Sequence, residues 1–485
     1  MAEKVNAANR LGTEPVGKLL LQFSIPAITG MLVNALYNVV DRIWVGRGVN
    51  ELALGGLSLV MPLMTITMAF SMLFGIGSAN LISMRLGQRR KEDAENALNH
   101  CFFLLVISAL IIFSVEMILL DQILARLGSE VGSATLDYAR RYYKIILYGQ
   151  VFFMLGFGFS HCTRAQGFPL ITMIGMILGA GMNIILDPLF IIVLGWGVEG
   201  AALATVISQL LSAVWILYFV NSKKAVVRLN LCNFRFSFSI VLDIMTFGCS
   251  QFLLQFAMST VQFLINMSLG WYGAATLGEG GGDIALSGLN ITMSISMLFF
   301  MPVFGINQGA QPILGFNYGA KKFDRVRKTF ILAITGATSI CLFGFILAQT
   351  LSGFLVRVFT PDGSDTLLSF APDALRVIMI AMPLNGFTIV ATNFFVVTGR
   401  PKISIFLSML RQVIALIPCL LIFGRMWGLW GVVAAPPVSD SFAFVTTGFM
   451  IILEMRKLKA DHLGNMENHL PSGQVWHHDT ETNMP

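Results

Sequence analysis

The sequence predicts an all-α membrane protein with twelve transmembrane helices, in two six-helix lobes related by a pseudo-two-fold axis along the membrane normal. Of its 485 residues, 55% are hydrophobic and only 12% are charged, whereas an ordinary soluble domain is about 25% charged. Windows of about 20 apolar residues recur along the whole chain, and each is long enough to cross a bilayer. An internal repeat, described below, predicts the two lobes.

The chain divides into apolar segments that are separated by short polar turns and one longer linker. Their predicted bounds are 19–45, 53–84, 98–120, 136–163, 170–194, 198–220, 240–272, 284–316, 329–352, 370–398, 403–423 and 427–453. The predicted domains are a cytoplasmic N-terminal segment 1–18, a first lobe 19–220, a basic cytoplasmic linker 221–239, a second lobe 240–453 and a cytoplasmic polar tail 454–485. We expect the tail to be disordered because it is polar.

The distribution of Lys and Arg predicts the orientation in the membrane. If the N-terminus is cytoplasmic, most of the 32 basic residues fall on the cytoplasmic side, including those at 85–91, 321–328 and 400–402. The positive-inside rule therefore places both termini in the cytoplasm. The net charge of +6 follows from this basic rim beside anionic lipid. We accordingly expect the lipid bilayer, and no nucleic acid, as a partner.

The second half of the sequence repeats landmarks of the first half. Gly87 and Gly319 each precede a basic turn and lie 232 positions apart, and the same offset relates the turns AQGFP and VTGRP. Each half has six spans and begins inside, so the repeat is parallel. Transporters commonly bind substrate where such halves meet.

The first span ends with polar side chains at a depth where lipid should be the solvent. Asn34, Tyr37, Asn38 and Asp41 have the i, i+3, i+4, i+7 spacing that places four side chains on one helical face. A carboxylate at membrane depth is costly and usually faces a bundle interior or a watery cavity. We therefore expect Asp41 to belong to a functional site, with the other three as supporting polar residues.

Polar partners for Asp41 occur in the fifth and sixth spans. Asn183 and Asp187 lie four residues apart and share a helical face, and Thr205 lies near the start of the sixth span. A rise of ~1.5 Å per residue brings all four residues to the outer half of the first lobe. Desolvation and a neighbouring like charge favour the protonated form of a carboxyl group, and the same oxygens also suit Na⁺. The predicted cation-coupling site therefore takes H⁺ or Na⁺, and we expect no other metal and no cofactor.

The two aspartates also have simpler interpretations. Asp41 and Arg42 would form an ordinary interfacial pair if they lay at the lipid headgroups. Asp187 directly precedes Pro188, a sequence typical of a helix start. Proline inside a helix removes a backbone hydrogen bond and clashes with the preceding turn. Helix kinks or breaks are expected at Pro26, Pro188 and Pro436.

Several motifs together resemble the multidrug and toxic compound extrusion (MATE) family. They are the segment FSIPAITGMLVNALYNVVDRIWVGRG, the basic turn after Gly87, and the segments RAQGFP, NIILDP and GWGVEGAA. The resemblance is strongest to the bacterial branch of staphylococcal-type and DNA-damage-inducible-type pumps. It implies two lobes around a V-shaped cavity in the cytoplasmic membrane of a bacterium. It also implies cation-coupled export of organic, often cationic and lipophilic, drugs by a monomer that rocks between inward and outward states.

The resemblance also implies which residues bind the coupling ion. The related branch uses an acidic residue of the first span, an Asn and an Asp of the fifth and a Thr of the sixth, which match Asp41, Asn183, Asp187 and Thr205. Another branch places acidic residues on the seventh and tenth spans, whose apolar parts contain none here. The alternative function is a flippase for a lipid-linked precursor, which needs a cationic cavity, but Arg411 is the only arginine deep in a span. No clustered acidic or His/Asp motif suggests an enzyme.

Overall fold

The computed structural model describes residues 10–49, 51–127, 133–231, 234–278, 280–360 and 364–467. Its helices are α1 Val16–Gly48, α2 Glu51–Gly87, α3 Lys91–Leu127, α4 Ser133–Ala165, α5 Pro169–Pro188, α6 Gly197–Asn221, α7 Phe238–Leu277, α8 Gly281–Gly319, α9 Phe323–Phe359, α10 Asp365–Met379, α11 Met382–Val397, α12 Pro401–Trp427 and α13 Leu429–Glu467. Helix α5 continues as a π-helical turn, Leu189–Val193, and α12 contains another, Leu410–Ala415. Most of the predicted polar tail, 468–485, lies outside the described residues.

The described helices confirm the predicted all-α membrane fold. Eleven of them are long and apolar enough to cross a membrane, and α10 and α11 together form a twelfth span that is bent by 46°. The tenth predicted span, 370–398, is therefore not one continuous helix. Pro383 lies in the first turn of α11, where the missing N–H costs no helical hydrogen bond, so the chain bends just before it.

The predicted prolines do not end their helices. Helix α1 runs unbroken through Pro26, and α13 runs unbroken through Pro436. Proline is tolerated in membrane helices because neighbouring helices and hydroxyl side chains satisfy the freed backbone groups. At Pro188 the backbone changes from an α-helix to a π-helical turn. The span continues through this change, so Asp187 does not start a new helix.

The backbone of the connecting turns repeats between the two halves. Arg89 and Lys321, which are 232 positions apart, both have a left-handed backbone, with φ of 62° and 56°. The same offset relates Gly167 and Gly399, with φ of 100° and 77°. Non-glycine residues rarely adopt this conformation, so its recurrence at matched positions supports the internal repeat on structural grounds.

The glycines of the repeat allow the two lobes to touch at their backbones. A Cβ on Gly87 of α2 would overlap the carbonyl oxygen of Phe316 in α8, and a Cβ on Gly319 of α8 would overlap that of Met84 in α2. The contact is reciprocal, as expected where two repeated helices cross at a two-fold axis. These positions require glycine because the backbones approach so closely.

The two lobes share a core at one end of the molecule and separate at the other. We call the shared end the basic end, because it carries the turns at 88–91 and 320–323. A single cluster of buried apolar side chains there joins both lobes and includes Ile82 and Ile313. At the opposite end one cluster around Leu57 belongs to the first lobe, and another around Leu269 belongs to the second. The helices therefore diverge as a V away from the basic end.

Exposed aromatic residues mark the end opposite the basic end. Trp196 lies in the turn between α5 and α6, Trp271 lies near the end of α7, and Trp427 and Trp430 flank the turn between α12 and α13, all with exposed side chains. Tryptophan is enriched at the interface between lipid and water. Large apolar side chains such as Ile118 are exposed between the two ends, which fits a surface that lipid covers.

We expect the substitution Gly248→Ala to force the lobes apart at the basic end. A Cβ at Gly248 of α7 would overlap the carbonyl oxygen of Leu73 in α2, whereas a Cβ at Gly270 of the same helix meets open space. Spin labels at Glu92 and Lys321, on opposite lobes, would report the separation by electron–electron resonance. The label distance should lengthen in Gly248→Ala and stay unchanged in the control Gly270→Ala; equal distances in both variants would contradict the close backbone contact.

Candidate functional site

Three helices of the first lobe bring the predicted polar residues together. The side-chain Nδ2 of Asn183 in α5 donates to Asp187 Oδ1 at 3.1 Å and to Thr205 Oγ1 of α6 at 3.4 Å. The carboxyl group of Asp41 in α1 lies within hydrogen-bonding reach of the Asp187 carboxyl group. The i, i+4 spacing in α5 thus aims both of its polar side chains at α1 and α6. We call these four residues the polar cluster.

The polar cluster is enclosed by protein. Asp41 is the most exposed of the four residues at 9%, and Asp187 is fully buried. The π-helical turn that follows Pro188 packs closely on α6, since a Cβ on Gly200 would contact the backbone of Phe190. Such turns are rare and often occur at functional sites. Here the turn covers the outer side of the cluster.

Three oxygen atoms of the polar cluster have no hydrogen-bond donor among the described residues. They are Asp41 Oδ1, Asn183 Oδ1 and Asp187 Oδ2, all of them buried. A buried acceptor without a donor is costly, and two carboxylates this close repel each other unless a proton or a cation lies between them. A donor set made only of oxygens suits a proton or a hard cation such as Na⁺. The cluster therefore has the ligand chemistry that a proton or a hard cation requires.

The structure adds a residue that sequence reasoning missed. The hydroxyl group of Tyr142, in α4, lies near Thr205, and the ring lies close to Asp41 and Tyr37. Tyr142 is buried, although its sequence, RRYYK, suggests an exposed position beside basic residues. No signal in the sequence separates this tyrosine from an interfacial one, because basic residues flank it on both sides of the pair Tyr142 and Tyr143.

The supporting polar residues of α1 occupy different positions. Tyr37 and Asn38 line a cavity together with Asp41. Asn34 lies one turn away, outside the lining of that cavity, where its backbone oxygen accepts a hydrogen bond from Asn38 Nδ2 at 2.7 Å. Two of the three predicted residues therefore face the same space as Asp41.

The cavity beside the polar cluster has the size of a small ligand site. Its volume is about 320 Å³, and helices α1, α2, α4 and α6 form its walls. Met61, Met64 and Phe153 supply apolar surface, and Gln150 and Gln209 supply polar groups. Sites for small organic molecules are typically mostly apolar with a few placed polar groups. The cavity can thus hold part of an organic molecule next to Asp41.

A comparison with known proteins identifies the family. The MatE family profile matches two stretches of the chain, residues 26–189 and 252–421. The chain belongs to the MatE family of transporters. The two matched stretches fall in the two lobes, so the family match and the repeated turns agree.

Relatives of this MATE protein cover almost its whole length. The Multidrug export protein MepA of Staphylococcus aureus strain MRSA252 is 26% identical over 449 residues, which are 92% of this chain and 96% of MepA. A solved structure described as the outward-facing conformation of a multidrug resistance MATE family transporter of the MOP superfamily has a TM-score of 0.86 and 26% identity, and covers 93% of this chain and 98% of its own. A MATE crystal structure in the bent conformation has the same TM-score and identity, and covers 95% and 99%.

The second lobe of this MATE protein does not repeat the polar cluster. At the positions 232 residues after Asn183 and Asp187 the sequence has Ala415 and Cys419. Neither side chain offers an oxygen ligand. The scaffold is thus repeated, whereas the cluster of oxygen ligands belongs to the first lobe.

The second lobe instead pairs opposite charges. Arg411, in the π-helical turn of α12, donates from Nε to Asp440 Oδ1 at 2.7 Å, and Asn385 Nδ2 of α11 donates to Asp440 Oδ2 at 2.6 Å. Arg411 and Asp440 lie 29 positions apart on different helices, so the sequence alone does not reveal their pairing. Their pairing neutralises the one arginine that lies deep in a span.

We expect Asn183→Ala to destabilise the protein. The variant removes the shared donor of Asp187 and Thr205, and leaving buried acceptors unsatisfied costs about 1–3 kcal/mol. The matched control is Asn221→Ala, whose Nδ2 donates only along an exposed helix surface to Leu217 O. Thermal unfolding in detergent should show a lower midpoint for Asn183→Ala alone. Equal midpoints for the two variants would show that the donor role of Asn183 is unimportant for the fold.

Proposed function

We propose that this MATE protein is an antiporter that exports organic, often cationic and lipophilic, drugs in exchange for H⁺ or Na⁺. It acts as a monomer in the cytoplasmic membrane of a bacterium, by rocker-switch alternating access. The observation that carries the proposal is the polar cluster, with three buried oxygens lacking donors, at the wall of a ligand-sized cavity. The name of the MepA relative, a multidrug export protein, supports the class of substrate.

Coupling follows from the adjacency of the cation ligands and the cavity. Asp41 belongs both to the polar cluster and to the lining of the cavity. A cation bound between Asp41 and Asp187 removes the negative charge that attracts a cationic drug. A ligand shifts a conformational equilibrium only if it binds the two states differently. Binding of the cation from outside therefore favours release of the drug and the return of the cation-loaded transporter, which releases the cation to the cytoplasm.

The shape of the molecule supports an outward-open state in this cycle. The lobes are joined at the basic end and separate at the other end. The basic end faces the cytoplasm by the positive-inside rule, which also places both termini there. The V therefore opens to the outside. Similarity to a solved transporter described as outward-facing supports the same assignment.

The alternative, a flippase for a lipid-linked precursor, has less support. Phosphates of such a lipid need cationic side chains that are free to bind them. The guanidinium group of Arg411 is already paired with the Asp440 carboxylate. The polar cluster, in contrast, is built from acceptor oxygens, which suit cations and repel phosphate.

Transport by purified protein in proteoliposomes tests the proposed function. We expect ethidium to move against its gradient when either a proton gradient or a sodium gradient is imposed, and the effective gradient names the coupling ion. Liposomes without protein, and liposomes in which an ionophore has collapsed the gradient, are the controls. Folded, inserted protein that moves no ethidium under either gradient would refute the drug antiporter and favour the flippase.

We expect Asp41→Asn to reduce coupled efflux to the background rate. The variant keeps the shape of the side chain but removes the charge that binds the coupling cation. The matched control is Asp121→Asn, which removes an exposed carboxylate of α3 that pairs with Arg140. Ethidium efflux from cells, normalised to the amount of protein in the membrane, is the measurement. Normal efflux by Asp41→Asn would remove Asp41 from the coupling site.

A further inference from the structure

A second buried acid of the first lobe is hydrogen-bonded to a tyrosine that lines the cavity. Glu116 of α3 is only 4% exposed. Its Oε2 accepts a hydrogen bond from the hydroxyl group of Tyr143 at 2.8 Å, and its Oε1 is buried without a hydrogen-bond partner among the described residues. Eleven residues separate Glu116 from the end of α3, which places it about 16 Å below that end.

The surroundings of Glu116 contain no charge that would compensate a carboxylate. From α4 the titratable group that faces it is Tyr143, and α2 contributes the uncharged Thr67, which lies close to Tyr143. No Lys, Arg or His of the described residues forms an ion pair with it. Burying an unpaired carboxylate is very costly. A buried acid without a charged partner is a candidate site for binding a proton.

Tyr143 connects this acid to the cavity that Asp41 lines. Tyr142 and Tyr143 are adjacent in α4, and both line the cavity. Neighbouring residues on a helix point about 100° apart, so Tyr142 reaches Thr205 while Tyr143 reaches Glu116. One helix thus places a hydroxyl group between the cavity and each of the two buried acidic centres.

Further polar groups extend the connection. The Tyr143 hydroxyl group also lies close to Thr67, whose Oγ1 accepts from Gln150 Nε2 at 3.0 Å. Thr67 and Gln150 line the cavity as well. In an apolar interior, a row of linked polar groups costs free energy unless every group in the row is hydrogen-bonded. Its orientation toward an acid with a free oxygen indicates a path for protons.

We propose that Glu116 is a second proton-binding group of the transport cycle, which exchanges its proton with the cavity through Tyr143. A proton from the outside medium binds the Glu116 carboxylate when the cavity is open outward. The same proton leaves to the cytoplasm when the cavity opens inward and a cationic drug enters. The inference rests on the proposed antiport, and it applies whether Asp41 and Asp187 bind H⁺ or Na⁺.

Proton release on drug binding tests the inference directly. Purified protein in weakly buffered detergent is mixed with tetraphenylphosphonium, a lipophilic cation, and a pH-indicator dye counts the protons released per bound cation. We expect Glu116→Gln to release fewer protons than the wild type while still binding the cation. Glu116→Asp, which restores a titratable group, should recover part of the release. The control Glu199→Gln removes an exposed carboxylate of α6 and should behave as the wild type.

An infrared spectrum gives a readout that does not depend on transport. The wild type should show the carbonyl stretch of a protonated carboxylic acid that Glu116→Gln lacks. An unchanged spectrum together with unchanged proton release in Glu116→Gln would overturn the inference. If wild-type protein moves no ethidium under any gradient, the proposed antiport fails, whereas the infrared band still reports the proton on Glu116.

A second variant keeps the test informative if Glu116→Gln does not fold. Tyr143→Phe retains the acid and removes the hydroxyl group that links it to the cavity. We expect slower proton release after mixing, with an unchanged final number of protons. Release as fast as in the wild type would exclude Tyr143 as the connection.

Discussion

The free-energy cost of placing oxygen atoms where lipid cannot solvate them is the constraint on which the rest of this structure depends. Asp41, Asp187 and Glu116 lie deep in a bundle whose outer surface is apolar. Each unsatisfied polar group at such a depth costs several kcal/mol. Helices α1, α4, α5 and α6 therefore close around the two aspartates, and α3 and α4 close around the glutamate. The oxygens that these helices leave without a donor can accept a proton, a cation or a hydrogen bond from water.

The scaffold around the site is symmetric, whereas the site is not. Matched turns and the reciprocal contact of Gly87 and Gly319 join the lobes at the basic end. No comparable backbone contact is needed at the other end, where each lobe has its own core. The lobes can therefore tilt about a closely packed seam without disturbing either outer core. The polar cluster lies within the first lobe, beside the cavity that opens and closes in the proposed transport cycle.

Helix α4 links the functional groups of the first lobe. Its adjacent tyrosines contact the polar cluster on one side and Glu116 on the other, and the cavity lies between them. In the proposed antiport, drug and cation share one small, poorly hydrated volume. In such a volume a change of charge on one group strongly affects the others, because the effective dielectric constant is low.

The composition of the chain and the spacing of its residues were sufficient to predict much of the fold. The length of the apolar segments predicted the spans, and the constant offset between repeated landmarks predicted the two lobes. The spacing of Asn183 and Asp187 placed both side chains on one helical face. Counting residues along each span put Asp41 and Thr205 at a similar depth. The sequence by itself thus determined the architecture and the members of the polar cluster, because these depend on composition and on periodicity within single helices. Only the tertiary structure decided the pairing of Tyr142 with Thr205, Tyr143 with Glu116 and Arg411 with Asp440, and the continuity of the helices through Pro26 and Pro436. These features depend on the rotation of each helix about its axis and on what its neighbours supply, which no local pattern encodes.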